Sequence, residues 1–423
     1  MKFVSLLTCL MVLSGQALAA NMQLSPHLSD KIWLALEQSD ASELDSQERN
    51  ILAATMALEE NNPEKALLAL NDTDANVDPL AGLLKAEAHR RAALNAVSKT
   101  GDYAKHRKLS EQQFAAIDLS EDLNEATVRL QAFADKIDGT AGFPLDILQL
   151  NSSIKTVFMV DKARSRLFVY QRNQQGELVR VADEYVVTGA KGGDKLKRGD
   201  ARTPNGIYRF TSVRHDPALR AKYGPVVFPI DYPNALDKLH GKTGDGIWMH
   251  GYPENKNRRP PQDTRGCFAL PNHVLKQMEQ YVSPNKTWVI IGEDFVFDSQ
   301  DKQADLLASV QSSVQTWEED WESLDADAYL SHYHQNFRSG KYDLKGWKRY
   351  KKRVNGNKQY IRVNLDDMAI IHDPTPWKSG EMVVVEFKQG YQSSNYSDTG
   401  KKRLYLTRSD DASPWKILIE ESL

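Results

Sequence analysis

One cysteine and a histidine seventeen residues before it carry the most specific chemistry in this sequence. Cys267 follows Gly266, and His250 ends an apolar stretch and precedes Gly251. A cysteine attacks a carbonyl carbon as the thiolate, which near neutral pH requires a neighbouring base or cation. We therefore predict Cys267 as a nucleophile and His250 as its base, with Arg265 adding positive charge nearby.

The glycine before the cysteine indicates a tight turn with room for a substrate. Gly266 lacks a side chain, so the backbone can turn sharply and a substrate carbonyl can approach it closely. The backbone N–H groups of Gly266 and Cys267 are then candidates for an oxyanion hole. The two segments, 247–253 and 263–271, are joined by a polar, proline-containing loop that is unsuited to a core.

The N-terminal sequence predicts export, which would leave Cys267 as the one cysteine of the mature chain. Lys2, an apolar stretch over 4–13 and Ala17-Leu18-Ala19 fit a signal peptide over 1–19. The stretch is too short to span a bilayer, which takes about 20 residues, and no later segment is apolar for long enough. The expected location is the periplasm. Cys9 would leave with the signal, so the mature chain would keep one thiol, either reactive or buried and inert, in an oxidising compartment.

The rest of the chain divides by composition into three parts. Residues 20–150 are rich in Ala, Leu, Glu, Lys and Arg with helical spacing, which predicts an all-α arm suited to packing, partner docking or a homodimer. Residues 151–296 are β-rich and punctuated by glycine and proline, which predicts a mostly-β domain. Residues 297–423 combine aromatic-rich helices with several strands, which predicts an α+β domain.

Individual elements can be predicted around the site. Strands are expected at 157–160, 166–170, 179–187 and 288–292, and a helix at 273–281 with Asn272 as its N-cap. In the last part, helices carrying Trp317, Trp321, Tyr329, Tyr333 and Phe337 should precede strands at 360–363, 382–387, 403–407 and 415–419.

The region from about 154 to 292 resembles the L,D-transpeptidase (YkuD) catalytic domain. That family carries His-Gly, a loop, and then Ser/Thr-His-Gly-Cys, which His250-Gly251 and Gly266-Cys267 match in part. The C-terminal part resembles the NTF2-like fold, in which a bent sheet wraps helices around a pocket. Further segments that resemble the family are Thr188-Gly189, Gly193-Asp194-Lys195, Gly199-Asp200, 203–208, Tyr223-Gly224 and 231–234.

The resemblance implies an activity on peptidoglycan. Cys267 would attack the carbonyl of the L-centre of meso-diaminopimelate at its bond to D-Ala, with His250 as base and then acid. The family orients this imidazole through the backbone carbonyl after it, here that of Gly251. No metal or organic cofactor is implied. The residues expected to bind substrate are Gly266, Arg265, Lys191, Asp194, Tyr232 and Trp248.

Two departures from the family pattern bear on the reaction type. The usual histidine before Gly-Cys is Arg265, which leaves His250 as the base, and the arginine common two residues after the cysteine is Ala269. The second departure and the three-part layout resemble the cell-shape L,D-carboxypeptidases of helical bacteria, so trimming of tetrapeptide to tripeptide stems is favoured. Transpeptidation, release of a wall-attached protein, and a non-catalytic wall-binding scaffold stay as alternatives.

Other candidate sites are weaker. A net charge of −3 gives no reason to expect nucleic acid or an anionic membrane as a partner. Residues 189–195 lack the Gly-Lys-Ser/Thr of a phosphate loop, and a loop that brings Lys191 and Lys195 near substrate carboxylates is favoured. His332 and His334 are badly spaced for a metal pair on a helix. The basic run 345–353 is either a solvated face or a contact for anionic glycan or teichoic-like polymers.

Overall fold

The computed structural model describes residues 24–38, 46–75, 78–99, 120–137, 143–255, 259–293, 295–298, 300–375, 377 and 380–423. The predicted signal peptide, its cleavage site and Cys9 lie outside these residues. The chain forms two compact units, Met1–Asp138 and Gly139–Leu423. Within the described ranges, no helix combines the length and the apolar character needed to cross a bilayer.

The described part of the first unit is helical, as predicted. Its core includes Ile51, Leu58, Leu84 and Leu123, which are fully buried. The predicted helix start near residue 62 is confirmed, because the Asn62 side chain accepts a hydrogen bond from the Lys65 N–H at 3.0 Å. The helices are α1 Pro26–Gln38, α2 Ser46–Glu59, α3 Pro63–Ala69, α4 Pro79–Lys99 and α5 Ser120–Ile137.

A five-stranded sheet forms the centre of the second unit. Its order is β5-β4-β3-β12-β7, with β12 parallel to β3 and antiparallel to β7. All six residues of β3 are buried, so both faces of the sheet are covered. The four strands expected at 157–160, 166–170, 179–187 and 288–292 are confirmed. The strands are β3 Thr156–Asp161, β4 Arg166–Arg172, β5 Leu178–Tyr185, β7 Gly206–Arg209 and β12 Trp288–Gly292.

The two faces of this sheet pack against different partners because side chains alternate along a strand. Phe158 packs in a cluster with Met249 and Phe268, which come from the layer that carries the predicted site. Met159 packs in another cluster with Val384 and Tyr405, which lie in the C-terminal part.

The layer over the first face holds short strands and helices. A three-stranded sheet has the order β11-β9-β8, and β10 pairs with β6. The predicted helix at 273–281 is confirmed as α8 followed by a 3₁₀ turn at Glu279–Tyr281. The elements are β6 Thr188–Gly189, α6 Pro217–Tyr223, β8 Val227–Pro229, α7 Ala235–Leu239, β9 Trp248–His250, β10 Gln262–Thr264, β11 Phe268–Ala269 and α8 Asn272–Met278.

The C-terminal part is a seven-stranded sheet with helices against it. The order is β15-β14-β19-β18-β17-β16-β2, so the strand that leads into the central domain pairs at one edge. Tyr333 and Phe337 lie in β14, so their predicted helical position is wrong. The elements are β1 Phe143–Pro144, β2 Ile147–Gln149, β13 Phe297–Asp298, α9 Gln300–Glu322, α10 Ala326–Ser331, β14 Tyr333–Ser339, β15 Tyr342–Asp343, α11 Leu344–Asn355, β16 Ile361–His372, β17 Glu381–Ser393, β18 Tyr396–Arg408 and β19 Lys416–Ser422. The predicted three-part fold class is confirmed.

Candidate active site

Two neighbouring parallel strands bring His250 and Cys267 to one face. In β9 and β11, Met249 lies opposite Phe268 and His250 lies opposite Ala269. Met249 and Phe268 point into the core and are fully buried, so His250 points away from the core. Cys267 directly precedes β11, on the same face by strand alternation. At about 3.3 Å per residue and 4.8 Å between strands, its Cα lies about 8 Å from that of His250. That separation suits two side chains that meet above the strands.

The imidazole of His250 has a defined tautomer. Its Nδ1 lies 2.6 Å from the carbonyl oxygen of Gly251. A carbonyl oxygen only accepts hydrogen bonds, so Nδ1 carries the proton and Nε2 keeps its lone pair. Burial lowers the pKa of His250 to about 4, and the bond to Gly251 offsets part of this shift. At neutral pH the imidazole is therefore neutral and Nε2 can accept a proton.

The Cys267 thiol is neutral as well. It is partly exposed, and its sulfur lies 3.5 Å from the carbonyl oxygen of Gly246, to which it donates. Burial raises the pKa of Cys267, while the Trp248 backbone N–H and the charge of Arg259 act in the opposite direction. The resting site is thus a thiol beside a neutral base. A reaction at this sulfur would therefore start from the thiol and not from a preformed thiolate.

A cation that was not predicted acts on this thiol. Arg265 is exposed on the strand-to-cysteine turn, whereas Arg259 is buried and acts on the pKa of Cys267. The Arg259 Nε donates to Asp263 at 2.9 Å, which fixes its guanidinium. Arg259 is therefore a cation of the site that was not predicted, and the charge role of Arg265 stays a prediction. Arg259 lies in the loop before β10, and nothing in the sequence of that loop indicates that its charge acts on Cys267.

The turn before Cys267 is held by threonine hydroxyls. Thr264 Oγ1 accepts from the Gly266 N–H at 3.0 Å and donates to the Cys267 carbonyl at 2.6 Å. Thr203 Oγ1 donates to the same carbonyl at 3.1 Å. Gly266 has φ +122°, and a Cβ there would lie 2.7 Å from the Arg202 carbonyl oxygen, so glycine is required. The Gly266 N–H is thus engaged, its predicted oxyanion role is wrong, and the Cys267 N–H stays as the candidate donor.

Asn272 is a site residue that the sequence interpretation placed wrongly. Helix α8 begins at Asn272 after Pro271, without a side-chain cap. The Asn272 Oδ1 instead accepts from the Tyr252 N–H at 2.9 Å, and its Nδ2 donates to the Tyr252 carbonyl at 3.2 Å. A Cβ at Gly251 would lie only 2.0 Å from the Asn272 Oδ1. The amide therefore packs onto Gly251 and fixes the backbone whose carbonyl orients His250.

Tyr223 forms a wall of the site. Its ring meets His250 edge-on at 5.0 Å and Trp248 at 5.3 Å between centroids. Its carbonyl accepts from the Gly251 N–H at 2.8 Å. Trp248 is half-buried on the same face as His250, so it stays a candidate for substrate contact. The Tyr223-Gly224 motif was visible in the sequence, but its role depends on this packing.

The predicted substrate residues of the 189–205 loop and its neighbours divide into two groups. Lys191 is exposed and stays a candidate. Asp194 Oδ2 pairs with Lys242 at 2.6 Å, and its Oδ1 accepts from the Asn205 N–H at 2.8 Å. Tyr232 is buried, and its hydroxyl donates to the Thr243 carbonyl at 3.2 Å. Because their polar groups have partners inside the protein, Asp194 and Tyr232 help to hold the loop, and their contact with substrate stays a prediction.

The same loop is anchored by two buried lysines. Lys162 Nζ donates to the Gly193 carbonyl at 2.8 Å, to the Thr203 carbonyl at 2.9 Å and to Asn205 Oδ1 at 2.7 Å. Lys195, expected near substrate, instead pairs with Asp200 at 2.7 Å and is buried. The loop is therefore held in place by internal contacts, and Thr203 connects it to the backbone of Cys267.

The described residues contain no cluster of His, Cys, Asp and Glu that could hold a metal ion. His332 follows α10 and pairs with Asp320 at 2.7 Å, and His334 lies in β14, so the predicted helical position of the two histidines is wrong.

Comparison with known proteins matches both domains of the second unit. Residues 155–291 match the L,D-transpeptidase catalytic domain (YkuD), and residues 309–421 match the Cds6 C-terminal NTF2-like domain.

Two solved structures are similar over both domains. The helical cell shape determining protein Pgp2 of Campylobacter jejuni is 30% identical, with a TM-score of 0.56 over 67% of this chain and 96% of that one. Bd1075 of Bdellovibrio bacteriovorus is 27% identical, with a TM-score of 0.57 over 66% of this chain and 97% of that one. YafK of Escherichia coli strain K12 is 28% identical over 112 residues, and the matched segment spans 41% of its length.

Proposed function

The chain belongs to the L,D-transpeptidase (YkuD) family, in the branch that carries an NTF2-like C-terminal domain, and we propose that it processes peptidoglycan stem peptides through a thioester on Cys267. The observation that carries this proposal is the shared strand face of Cys267 and His250, with Nδ1 of His250 held by Gly251. A thiol and a base with a free lone pair are the two groups that acyl transfer requires.

The first half-reaction forms the thioester. Nε2 of His250 takes the proton of the Cys267 thiol as the sulfur attacks the carbonyl carbon of the L-centre of meso-diaminopimelate. The Cys267 N–H is the candidate donor to the resulting oxyanion. When the intermediate collapses, the C–N bond to D-Ala breaks and the imidazolium gives its proton to the leaving amine.

The second half-reaction consumes one water. Nε2 of His250 takes a proton from the water as its oxygen attacks the thioester carbon, and the sulfur leaves and recovers the proton. The products are a tripeptide stem with a free carboxylate and one D-Ala. The enzyme returns to the neutral thiol and imidazole of the resting site.

Hydrolysis is favoured over crosslinking because of the surroundings of Ala269. Ala269 lies opposite His250, is fully buried, and packs with Tyr185, Val187 and Tyr252. An apolar cluster thus fills the place where the family commonly has an arginine, so no cation there holds the carboxylate of a second stem. An acceptor amine must be positioned close to the thioester to compete with water.

The test is digestion of purified tetrapeptide muropeptides, with products identified by mass spectrometry. We expect tripeptide as the main product even with excess acceptor amine, no turnover by Cys267→Ala, and a loss of about 10²–10⁴-fold for His250→Gln. Lys286→Gln is a control, since that exposed side chain is not among the residues expected to bind substrate and should leave the rate within about twofold. Crosslinked or amine-exchanged stems as the main product would establish the transpeptidase alternative, and binding without any turnover would establish the wall-binding scaffold.

We further propose that the protein acts in the periplasm and, like its helical-cell-shape relative, takes part in setting cell shape. Cleavage of the predicted signal after Ala19 should leave one free thiol and no disulfide. Intact mass of the exported protein, with and without thiol alkylation, measures both. A stable disulfide-linked dimer through Cys267 would contradict this expectation.

A further inference from the structure

A basic cleft lies in the C-terminal domain between strand β14, the β14–β15 hairpin and helix α11. Its volume is about 780 Å³. The cations that line it, Arg338, Lys341, Arg349 and Arg353, are all exposed. We call this feature the basic cleft.

The surrounding segment concentrates positive charge far beyond the rest of the chain. Residues 338–353 contain eight Lys and Arg and one acidic residue, in a protein whose net charge is −3. One of the eight, Lys351, is buried against Trp321 and Trp347 and does not face the cleft. Lys352 pairs with Asp327, and the other six surround the cleft or lie on the exposed side of α11, so their charge is available to a ligand.

These cations lack the anionic partners that surface cations usually have nearby. Among the ion pairs of the described residues, Lys352 pairs with Asp327 at 2.6 Å, while none involves Lys341, Arg349 or Arg353. Arg349 and Arg353 are four residues apart on α11, a spacing at which like charges destabilise a helix. An anion bound between Arg349 and Arg353 would reduce the repulsion between the two guanidinium groups.

The cleft also has groups that fit something larger than a simple anion. The rings of Tyr342 and Tyr350 stack at 5.2 Å between centroids with planes 22° apart, and both line the cleft. Asp343, the single carboxylate of the lining, uses Oδ1 to accept from the Gly346 N–H at 2.7 Å. A carboxylate among cations repels a pure polyanion, but it accepts hydrogen bonds from hydroxyl groups. Guanidinium groups, in turn, match the oxygens of phosphate.

We propose that the basic cleft binds a phosphorylated saccharide, with the phosphate on Arg349 and Arg353 and the sugar hydroxyls toward Asp343 and the tyrosines. The cleft is separate from the candidate active site. It lies at the β15 edge of the seven-stranded sheet, whereas β2, which leads into the catalytic domain, forms the opposite edge. Six strand spacings of about 4.8 Å separate the two edges by about 29 Å. Such a site would hold the enzyme on a phosphate-bearing surface while the active site stays accessible.

The test uses the mature full-length protein and two double variants of the same helix. Arg349→Gln/Arg353→Gln removes two charges from the cleft, and Lys345→Gln/Lys348→Gln removes two charges from the same helix outside it. Calorimetric titration with glucose 1,6-bisphosphate should show binding that weakens at high salt. We expect the first variant to weaken binding at least tenfold and the second by no more than threefold.

Further probes decide the ligand class. Inorganic phosphate and unphosphorylated glucose should each bind at least tenfold more weakly than glucose 1,6-bisphosphate. Vesicles of phosphatidylcholine containing phosphatidylglycerol test a lipid-borne phosphate without a sugar, and should not compete with the sugar phosphate. Both variants should unfold at the same temperature, which shows that any loss of binding is not a loss of folding. Both should also cleave the tetrapeptide at the same rate, which separates this test from the test of the proposed activity.

Several results would overturn the proposal. Equal weakening by the two variants would show diffuse charge attraction without a defined cleft. If glucose 1,6-bisphosphate does not bind, or if inorganic phosphate binds as tightly, the proposal that the ligand contains a saccharide is wrong. Binding to vesicles only would make the helix a membrane-surface contact, and equal competition by phosphate-free muropeptides would make the ligand a carboxylate.

Discussion

The neutral state of His250 and Cys267 makes a specific prediction about pH. The perturbation is a change from pH 7.5 to 5.5. With a pKa of about 4, His250 stays about 97% neutral at pH 5.5, whereas an imidazole with the ordinary value of 6.5 would be about 9% neutral. Since kcat/KM follows the essential base of the free enzyme, we expect kcat/KM to change by less than about twofold over this range. An unperturbed histidine would cause a loss of about tenfold.

The assay is steady-state cleavage of a tetrapeptide muropeptide between pH 3.5 and 8, combined with alkylation of Cys267 by iodoacetamide. Because the thiol is neutral, its alkylation rate should rise about tenfold per pH unit until the raised pKa is reached. An acid limb of kcat/KM near pH 6.5 would refute the argument from burial. Fast alkylation that is independent of pH above about 5 would show a preformed thiolate–imidazolium pair instead.

Two further predictions concern the backbone that holds the pair. Gly251→Ala forces the Asn272 amide away, because the new Cβ would lie 2.0 Å from its Oδ1, and the loss of its two hydrogen bonds to Tyr252 should cost about 2 kcal/mol of unfolding free energy. In urea denaturation Asn272→Ala should cost a similar amount and the double variant little more than either; fully additive losses would contradict this. Thr264→Val leaves the Gly266 N–H without its hydroxyl acceptor and should lower the unfolding free energy by about 1–3 kcal/mol, whereas Thr264→Ser should keep most of it; equal losses would show that the hydroxyl is not what matters.

The candidate nucleophile and base stand out in the sequence because each belongs to a short local motif. His250-Gly251 and Gly266-Cys267 each need one glycine beside one reactive side chain, and the structure gives a geometric reason at both glycines. The supporting residues could not be predicted in the same way. Asn272 acts on Tyr252, twenty residues away, and at the start of a helix an asparagine is normally interpreted as a cap.

The misplacement of the C-terminal aromatics has a different cause. Tyr329, Tyr333 and Phe337 are four residues apart, and this interval keeps side chains on one face both of a helix and of a strand. The same spacing therefore continues from α10 into β14 while the backbone changes from helix to strand. The aromatics still share one core, because Tyr333 contacts Tyr329 and Phe337 with ring centroids 5.4 and 4.8 Å apart.

The C-terminal sheet completes the catalytic domain as well as carrying the basic cleft. Val157 and Met159 of the central sheet are fully buried against a cluster that includes Val384 and Tyr405 of the C-terminal sheet. One face of the sheet that supports the active site is therefore covered by the other domain. Trp377, also from the C-terminal part, stacks on His240 at 4.3 Å and lies 4.9 Å from the Lys242 Nζ.

These contacts reach the loop beside the nucleophile. Lys242 pairs with Asp194 at 2.6 Å, and the Asp194 carboxylate accepts from the Asn205 N–H. Thr203, two residues before Asn205, donates to the Cys267 carbonyl. The residues that hold Cys267, the proposed nucleophile, thus depend on packing from both domains. Dividing the sequence into independent domains does not predict this dependence. The contacts that create it join residues more than one hundred positions apart.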